Sequence, residues 1–137
     1  MSRIVRVWAD DDGESHVEEL EFTAVGRGAG GPPSSIPAAG APVLRSYPVA
    51  ADPSEWVGVD WHQPPGKTFA VAISGEIEVE VTDGSTMSIG QGDLVFLEDV
   101  RGRGHITRLR GGVTNLFIPV APDFDVLSWV ARRGVSA

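Results

Sequence analysis

The sequence contains no cysteine, which excludes disulfide bonds, thiolate zinc sites and thiol nucleophiles. Lysine is nearly absent too, since Lys67 is the only one, and the formal net charge is −8. An acidic surface without a basic stripe argues against a nucleic-acid partner. No apolar run approaches the roughly 20 residues of a membrane span, and the N-terminus lacks the apolar stretch of a signal peptide. We therefore expect a soluble cytoplasmic protein with no membrane partner.

Several catalytic motifs are also missing, namely the Gly-x-Ser-x-Gly elbow, the HExxH helix and the P-loop. The length of 137 residues fits a single domain, and the apolar fraction of 42% is ordinary for a globular protein. Arginine in place of lysine, with abundant Ala, Gly, Val and Pro, indicates a GC-rich bacterial genome. Composition therefore limits the class of protein but does not indicate which reaction it catalyses.

Short apolar segments separated by Gly and Asp turns predict an all-β fold. We expect two N-terminal strands within residues 4–23 and a core barrel over about 43–120. Residues 24–42 are rich in Gly, Pro, Ala and Ser, so they predict a long loop that forms a rim or lid. The segment 125–133 has an acidic start and two arginines near its end, which predicts a short C-terminal helix.

The clearest periodicity lies in the run EIEVEV at 76–81, whose alternation predicts one buried face and one wet face. Gly75 separates this strand from a second one at 68–74, which is apolar enough to be buried on both faces. Because a two-sided apolar strand can lie beneath a subunit interface, we expect a homodimer through Phe69–Ile73.

The chain has only three histidines, and His62 and His105 stand at the two ends of the densest run of strand signals. An imidazole ordinarily titrates near neutral pH, so either residue could bind a metal or act as a general acid or base. If His105 points into a barrel, Thr107 does so too. The alternatives are a surface position for His62 and a hydrogen-bonded core position for His105.

Two segments carry a resemblance to a known family. SGEIEVEVTDG at 74–84 resembles the middle of the cupin barrel, and GQGDLVFLEDVRGRGHITR at 90–108 resembles the second cupin motif. The resemblance covers about residues 57–119. It implies a cupin-type double-stranded β-helix, which is a jelly-roll barrel, within one domain over 1–137. It implies no single activity, because cupins include oxygenases, isomerases, decarboxylases, cyclases, storage proteins and sugar-binding domains.

The same resemblance implies half of a metal site. The first cupin motif offers two histidines and a glutamate before a glycine. Counted back from Gly75, His62 falls on the first histidine, Pro64 on the second and Thr68 on the glutamate. His105 matches the histidine of the second motif. Two of the four usual ligands are therefore present.

Glu98 could complete a two-histidine, one-carboxylate set with His62 and His105, which would suit one divalent Fe, Mn, Zn or Ni ion. A metal-free pocket that uses the same residues for proton transfer is an equal alternative.

We expect His16 at the surface. Lys67 could pair with a ligand carboxylate or be solvated. The residues expected to contact substrate are Trp56, Trp61, Gln63, Thr68 and Thr107, although the two tryptophans could equally be core.

The sequence thus predicts a small-molecule enzyme that binds an organic substrate inside the barrel. His62, His105 and Glu98 are its expected catalytic residues, in an isomerase, cyclase, lyase or oxygenase. Two alternatives stay open: a cupin that binds or senses a small ligand without turning it over, and a structural dimeric cupin.

Overall fold

The computed structural model of the chain describes residues 3–21 and 35–135, with side chains through residue 131. These residues form eight strands and one helix, and the all-β prediction with a short C-terminal helix is confirmed. No helix in this part of the chain is long and apolar enough to cross a membrane. The elements are β1 Ile4–Ala9, β2 Ser15–Leu20, β3 Val43–Ser46, β4 Val57–His62, β5 Thr68–Val81, β6 Thr86–Ile89, β7 Leu94–Glu98, β8 His105–Pro119 and α1 Val126–Val135.

Two long antiparallel strands, β5 and β8, organise the whole sheet. The first half of β5 pairs with β7 and its second half with β6, whereas the first half of β8 pairs with β4 and its second half with β3. Strand β1 joins β7 in parallel, and β2 forms the edge beyond it. The result is a six-stranded half, β2-β1-β7-β5-β8-β3, and a four-stranded half, β6-β5-β8-β4, which share β5 and β8.

Strand β5 passes from one half of the sheet to the other without a break. The register shifts between Ala72 and Glu76, and Gly75 has a φ of +83°. A Cβ atom on Gly75 would lie 2.6 Å from Cγ2 of Val113, so only glycine fits there. The predicted separation of 68–74 from 76–81 is therefore wrong, because pairing with β8 continues past the bulge. Residues 105–119 likewise form one continuous strand, β8.

An inner core lies between the two halves of the sheet. The alternation predicted for 76–81 is confirmed, since Ile77, Val79 and Val81 are buried in this core. The three glutamates between them form ion pairs with Arg108 and Arg110 on β8. The wet face of β5 is thus a ladder of cross-strand ion pairs rather than a row of free carboxylates.

A second core lies on the outer face of the six-stranded half, where α1 covers it. The ring of Phe69 lies 4.7 Å from that of Phe96 and 5.4 Å from that of Trp129 in the helix. Asp125 caps this helix by accepting the amide hydrogen of Leu127. The strand predicted to be apolar on both faces is therefore covered in part by the chain's own helix. Ile73 stays exposed, and the homodimer stays a prediction.

The two strands expected within residues 4–23 are β1 and β2, and β2 is an edge strand of the sheet. The end of the predicted second strand and most of the predicted loop fall on residues 22–34, which lie outside the described residues. Closer to β3, Ala38 bridges Val120 on the sheet, and Ser35 accepts a hydrogen bond from the indole of Trp129. The rim or lid stays a prediction.

Candidate functional site

A pocket lies between the two halves of the sheet. Its inner chamber of about 70 Å³ adjoins a wider mouth of about 420 Å³. A mouth of this volume suits a small organic ligand. Five residues line both spaces: Tyr47, His62, Leu97, His105 and Phe117. The rest of the chamber wall is mainly apolar and includes Ala70, Ala72, Ile77, Val79, Ile89 and Val95.

The two histidines singled out from the sequence lie side by side in this pocket. His62 ends β4 and His105 begins β8, and the two are partners in the strand register. Their ring centroids are 4.4 Å apart, with the planes tilted by 58°. Gly104 allows this approach, because a Cβ atom on it would lie 1.9 Å from the carbonyl oxygen of His62. The fold therefore builds the pair from residues 43 positions apart in the chain.

A buried carboxylate holds one of these rings. Oδ2 of Asp99 lies 2.5 Å from Nδ1 of His105, and both side chains are almost wholly buried. An ionised carboxylate only accepts hydrogen bonds, so His105 Nδ1–H donates. In the same way, His62 Nδ1–H donates to the carbonyl oxygen of Asp60 at 2.7 Å. On each ring, Nε2 is therefore the nitrogen left for a ligand in the pocket.

Glu98 does not join the two histidines. Its neighbours Leu97 and Asp99 face the inside of the barrel, so strand alternation turns Glu98 to the outer face. There it accepts a hydrogen bond from Nε of Arg6 at 2.6 Å, and Nζ of Lys67 lies 3.6 Å away. Glu98 lines neither the chamber nor the mouth. The predicted set of His62, His105 and Glu98 is therefore not assembled in this structure.

The pair of histidines fits a metal ion in one respect and not in another. Each Nδ1–H is held by an oxygen, which is the usual arrangement behind a metal-bound imidazole. However, catalytic metal sites typically have three protein ligands. Among the described residues, the one group that brings three His, Asp or Glu ligand atoms within 4.8 Å of one another lies elsewhere. The donor set here is too small, and the divalent metal stays a prediction without a third ligand.

The other predicted contact residues divide into two sets. Thr107 lines the inner chamber, while Gln63 and Thr68 line the mouth. Trp56 and Trp61 line neither. The guanidinium of Arg110 lies over the ring of Trp56 at 4.2 Å, and that of Arg103 lies over Trp61 at 4.3 Å. Both tryptophans instead form cation–π contacts away from the pocket.

The set of site residues predicted from the sequence does not include three polar residues of the site, which are Asp99, Asn115 and Tyr47. Strand alternation from the apolar Val95 and Leu97 would have pointed Asp99 inward, so its signal was present. Asn115 and Tyr47 carried no such signal, because their positions depend on the pairing of β3 with β8. Asn115 lines the chamber, and its Oδ1 is buried without a hydrogen-bond partner in the described structure.

His16 lies outside the pocket, as expected for a surface residue. Its Nε2 and Nδ1 atoms each lie 2.8 Å from a carboxylate oxygen, of Asp10 and Asp83 respectively. The hydrogen bond to Asp10, followed by that to Asp83, raises the pKa of His16. Asp10 and His16 also belong, with Glu14, to the metal-type cluster mentioned above. With both ring nitrogens donating to carboxylates, His16 has no lone pair left for a metal ion.

No family model matches the chain, and no curated protein matches it. Among solved structures, the chain is similar to a Salmonella typhimurium LT2 protein described as an ethanolamine utilization protein, EutQ. The two are 14% identical, and the match covers 90% of this chain and 98% of that chain with a TM-score of 0.35. At this identity and TM-score, the likeness carries no argument about ligand or reaction.

Proposed function

We propose that this protein is a small-molecule acid–base enzyme of isomerase, cyclase or lyase type, with His62 and His105 as its proton-transfer residues. The observation that carries the proposal is the buried Asp99–His105 pair beside His62 in a ligand-sized pocket. General acid–base catalysis needs an imidazole held in one tautomer with its second nitrogen facing substrate. A carboxylate behind the ring supplies that arrangement.

Each residue has a distinct part in the proposed reaction. His105 takes a proton from the substrate at Nε2, and the carboxylate of Asp99 stabilises the imidazolium that forms. His62, oriented by the carbonyl oxygen of Asp60, gives a proton to the substrate from its own Nε2 after protonation by solvent. The apolar chamber keeps water away from the reacting atoms. Proton removal at one atom and delivery at another amounts to an isomerisation or begins an elimination.

The experiment monitors exchange of carbon-bound protons for deuterium in D₂O by NMR, across a panel of small ketones and keto acids. We expect wild-type protein to exchange protons of at least one panel member. His62→Asn and His105→Asn should each slow this exchange by about 10²–10⁴-fold, the usual contribution of a general acid or base. His16→Asn is the matched control, since that histidine lies outside the pocket, and circular dichroism verifies folding.

Equal exchange in wild type and in both pocket variants would refute the proposed roles. Binding of a panel compound without any exchange would instead favour a non-catalytic, ligand-binding protein. That alternative has its own support, because Asn115 presents an unpartnered oxygen to the chamber. A ligand could satisfy this oxygen without reacting.

A further inference from the structure

We infer that the ligand of this pocket is a small monocarboxylate whose charged group is bound by Arg45 at the mouth. The inference rests on the proposed function and names the substrate class for the same site. It also assigns Asn115 as the acceptor for a hydroxyl or N–H donor of that ligand. Three independent observations support it: the charges that line the pocket, the free guanidinium of Arg45 and the unpartnered oxygen of Asn115.

The lining of the pocket differs in charge from the rest of the molecule. The chain has 19 acidic and 11 basic residues. Nevertheless, no Asp or Glu occurs among the described residues that line the chamber or the mouth. The two charged lining residues with fixed positive charge are Arg45 and Lys67, which is the only lysine. An acidic protein with a cationic pocket mouth attracts an anion to that place in preference to a cation.

Arg45 forms no ion pair with any of the described residues. Every other arginine whose side chain is described contacts a carboxylate or a tryptophan ring. Those arginines are Arg3, Arg6, Arg101, Arg103, Arg108 and Arg110. Arg45 lies on β3, with Val43 and Tyr47 at alternate positions that also line the mouth. Its guanidinium can therefore receive a ligand carboxylate through two parallel N–H bonds.

Lys67 is less available, which limits the charge of the ligand. Its Nζ donates a hydrogen bond to the carbonyl oxygen of Phe124 at 3.0 Å and lies 3.6 Å from a carboxylate oxygen of Glu98. The mouth thus offers one uncommitted positive charge. A doubly charged phosphate monoester would bring more negative charge than one guanidinium balances, whereas a carboxylate matches it.

Asn115 lies next to Arg45 across the strand pair, on the same face of the sheet. Directly opposed residues of neighbouring strands have Cβ atoms about 4.5–5.5 Å apart. An unsatisfied buried acceptor is unfavourable, so a donor from the ligand near its carboxylate would complete the hydrogen bonding of Asn115. The expected ligand combines a carboxylate, a nearby hydroxyl or N–H group and an apolar body that faces the chamber wall.

The test compares binding of linear, branched and aryl carboxylic acids with that of their primary amides, measured by ligand-observed NMR and titration calorimetry. We expect at least one acid to bind wild-type protein, with its amide about tenfold weaker because the ionic hydrogen bonds are lost. Arg45→Met should abolish this preference and Arg45→Lys should keep part of it. Arg101→Met is the control, since Arg101 contacts only an exposed carboxylate of Asp11 among the described side chains.

Within the acids that bind, a 2-hydroxy acid should bind more tightly than its parent acid, and Asn115→Leu should remove that difference. The inference is overturned if no acid of the panel binds, if acids and amides bind equally, or if folded Arg45→Met keeps the preference. These outcomes are separate from failure of the proposed reaction. If acids bind through Arg45 and no proton exchange occurs, only the proposed reaction is refuted. If neutral compounds exchange protons in a histidine-dependent way and acids are not preferred, only the inferred carboxylate ligand is refuted.

Discussion

Glu98 and Asp99 are adjacent carboxylates with opposite surroundings. Glu98 lies on the outer face of the sheet against Arg6, whereas Asp99 lies inside against His105. The difference follows from the two-residue period of a strand, which sends consecutive side chains to opposite faces. Residue type alone does not separate the two, because both are carboxylates at the end of the same apolar run. The pair therefore offers a matched test of which carboxylate belongs to the site.

We predict that Glu98→Gln leaves the exchange rate unchanged and lowers the free energy of unfolding by about 1 kcal/mol, because its charge-assisted hydrogen bond to Arg6 is weakened. Asp99→Asn should instead slow exchange by about tenfold or more, since an amide does not stabilise an imidazolium. Urea unfolding and deuterium exchange measure the two effects. A loss of exchange in Glu98→Gln, with Asp99→Asn unaffected, would reverse the assignment.

For single residues, the sequence predicts which side chains line the pocket better than it predicts which residues they contact. His62, His105 and Thr107 were identified as pocket residues, and all three line the chamber. The expected role of Glu98 rests on the need for a third ligand, whereas strand alternation turns its side chain to the outer face of the sheet. Asn115 could not be found at all. Its place beside the chamber depends on the pairing of β3 with β8, and no local pattern in the chain specifies that pairing.

At the scale of elements, the start of β8 brings the two histidines together. Gly104 has a φ of +76° and lies directly against the carbonyl of His62. Strand segments, turns and the C-terminal helix could be predicted from periodicity and from Gly and Asp signals. The continuity of β5 and β8 could not, because a glycine within a strand is compatible with either a turn or a bulge.

We predict that Gly104→Ala separates the two histidine rings and slows exchange by at least tenfold, with a lower free energy of unfolding. The new Cβ would overlap the His62 carbonyl, so β4 or β8 must shift. Gly111→Ala is the matched control: Gly111 has a φ of +80°, yet no atom lies within 4 Å of its Cβ position. Both variants carry the backbone strain, and only the first should disturb the site. Equal exchange rates in the two would show that Gly104 has no part in positioning His62.

In the whole molecule, the outer face of the sheet and the space between its two halves have different roles. The outer face of the six-stranded half is covered by α1 and supplies a second core, of which only Val120 also lines the mouth of the pocket. The space between the halves holds the histidines, with the inner core beside them. Changes in ion pairs on the outside of the sheet are therefore expected to alter stability and leave the chemistry intact. His16 is the clearest such group, since it links distant segments.

His16 gives the fold a pH dependence whose sign can be worked out. It lies on β2 and contacts Asp10 in the turn before that strand and Asp83 in the turn after β5. Its pKa is raised in the folded state, so its contribution to stability is full below the ordinary histidine pKa and is lost as pH rises through the folded value. The pKa of Asp10 is lowered mainly by His16, and the pKa of Asp83 is lowered mainly by Ser85. These two carboxylates therefore have the opposite effect on how stability depends on pH. Their contribution is lost as pH falls through the folded values.

We predict that the free energy of unfolding of wild-type protein declines above about pH 6.5, where an unfolded histidine loses its proton. In His16→Gln the decline in stability at alkaline pH should be smaller, because a neutral amide does not titrate there. The decline at acid pH that comes from protonation of Asp83 should persist, because Ser85 still lowers the pKa of Asp83. Urea unfolding across the pH range, with NMR titration of the His16 ring, measures both. Since His62 and His105 are unchanged in the variant, the difference between the two curves isolates His16. Parallel curves, or a His16 ring that titrates below an ordinary histidine, would contradict the link between these three segments.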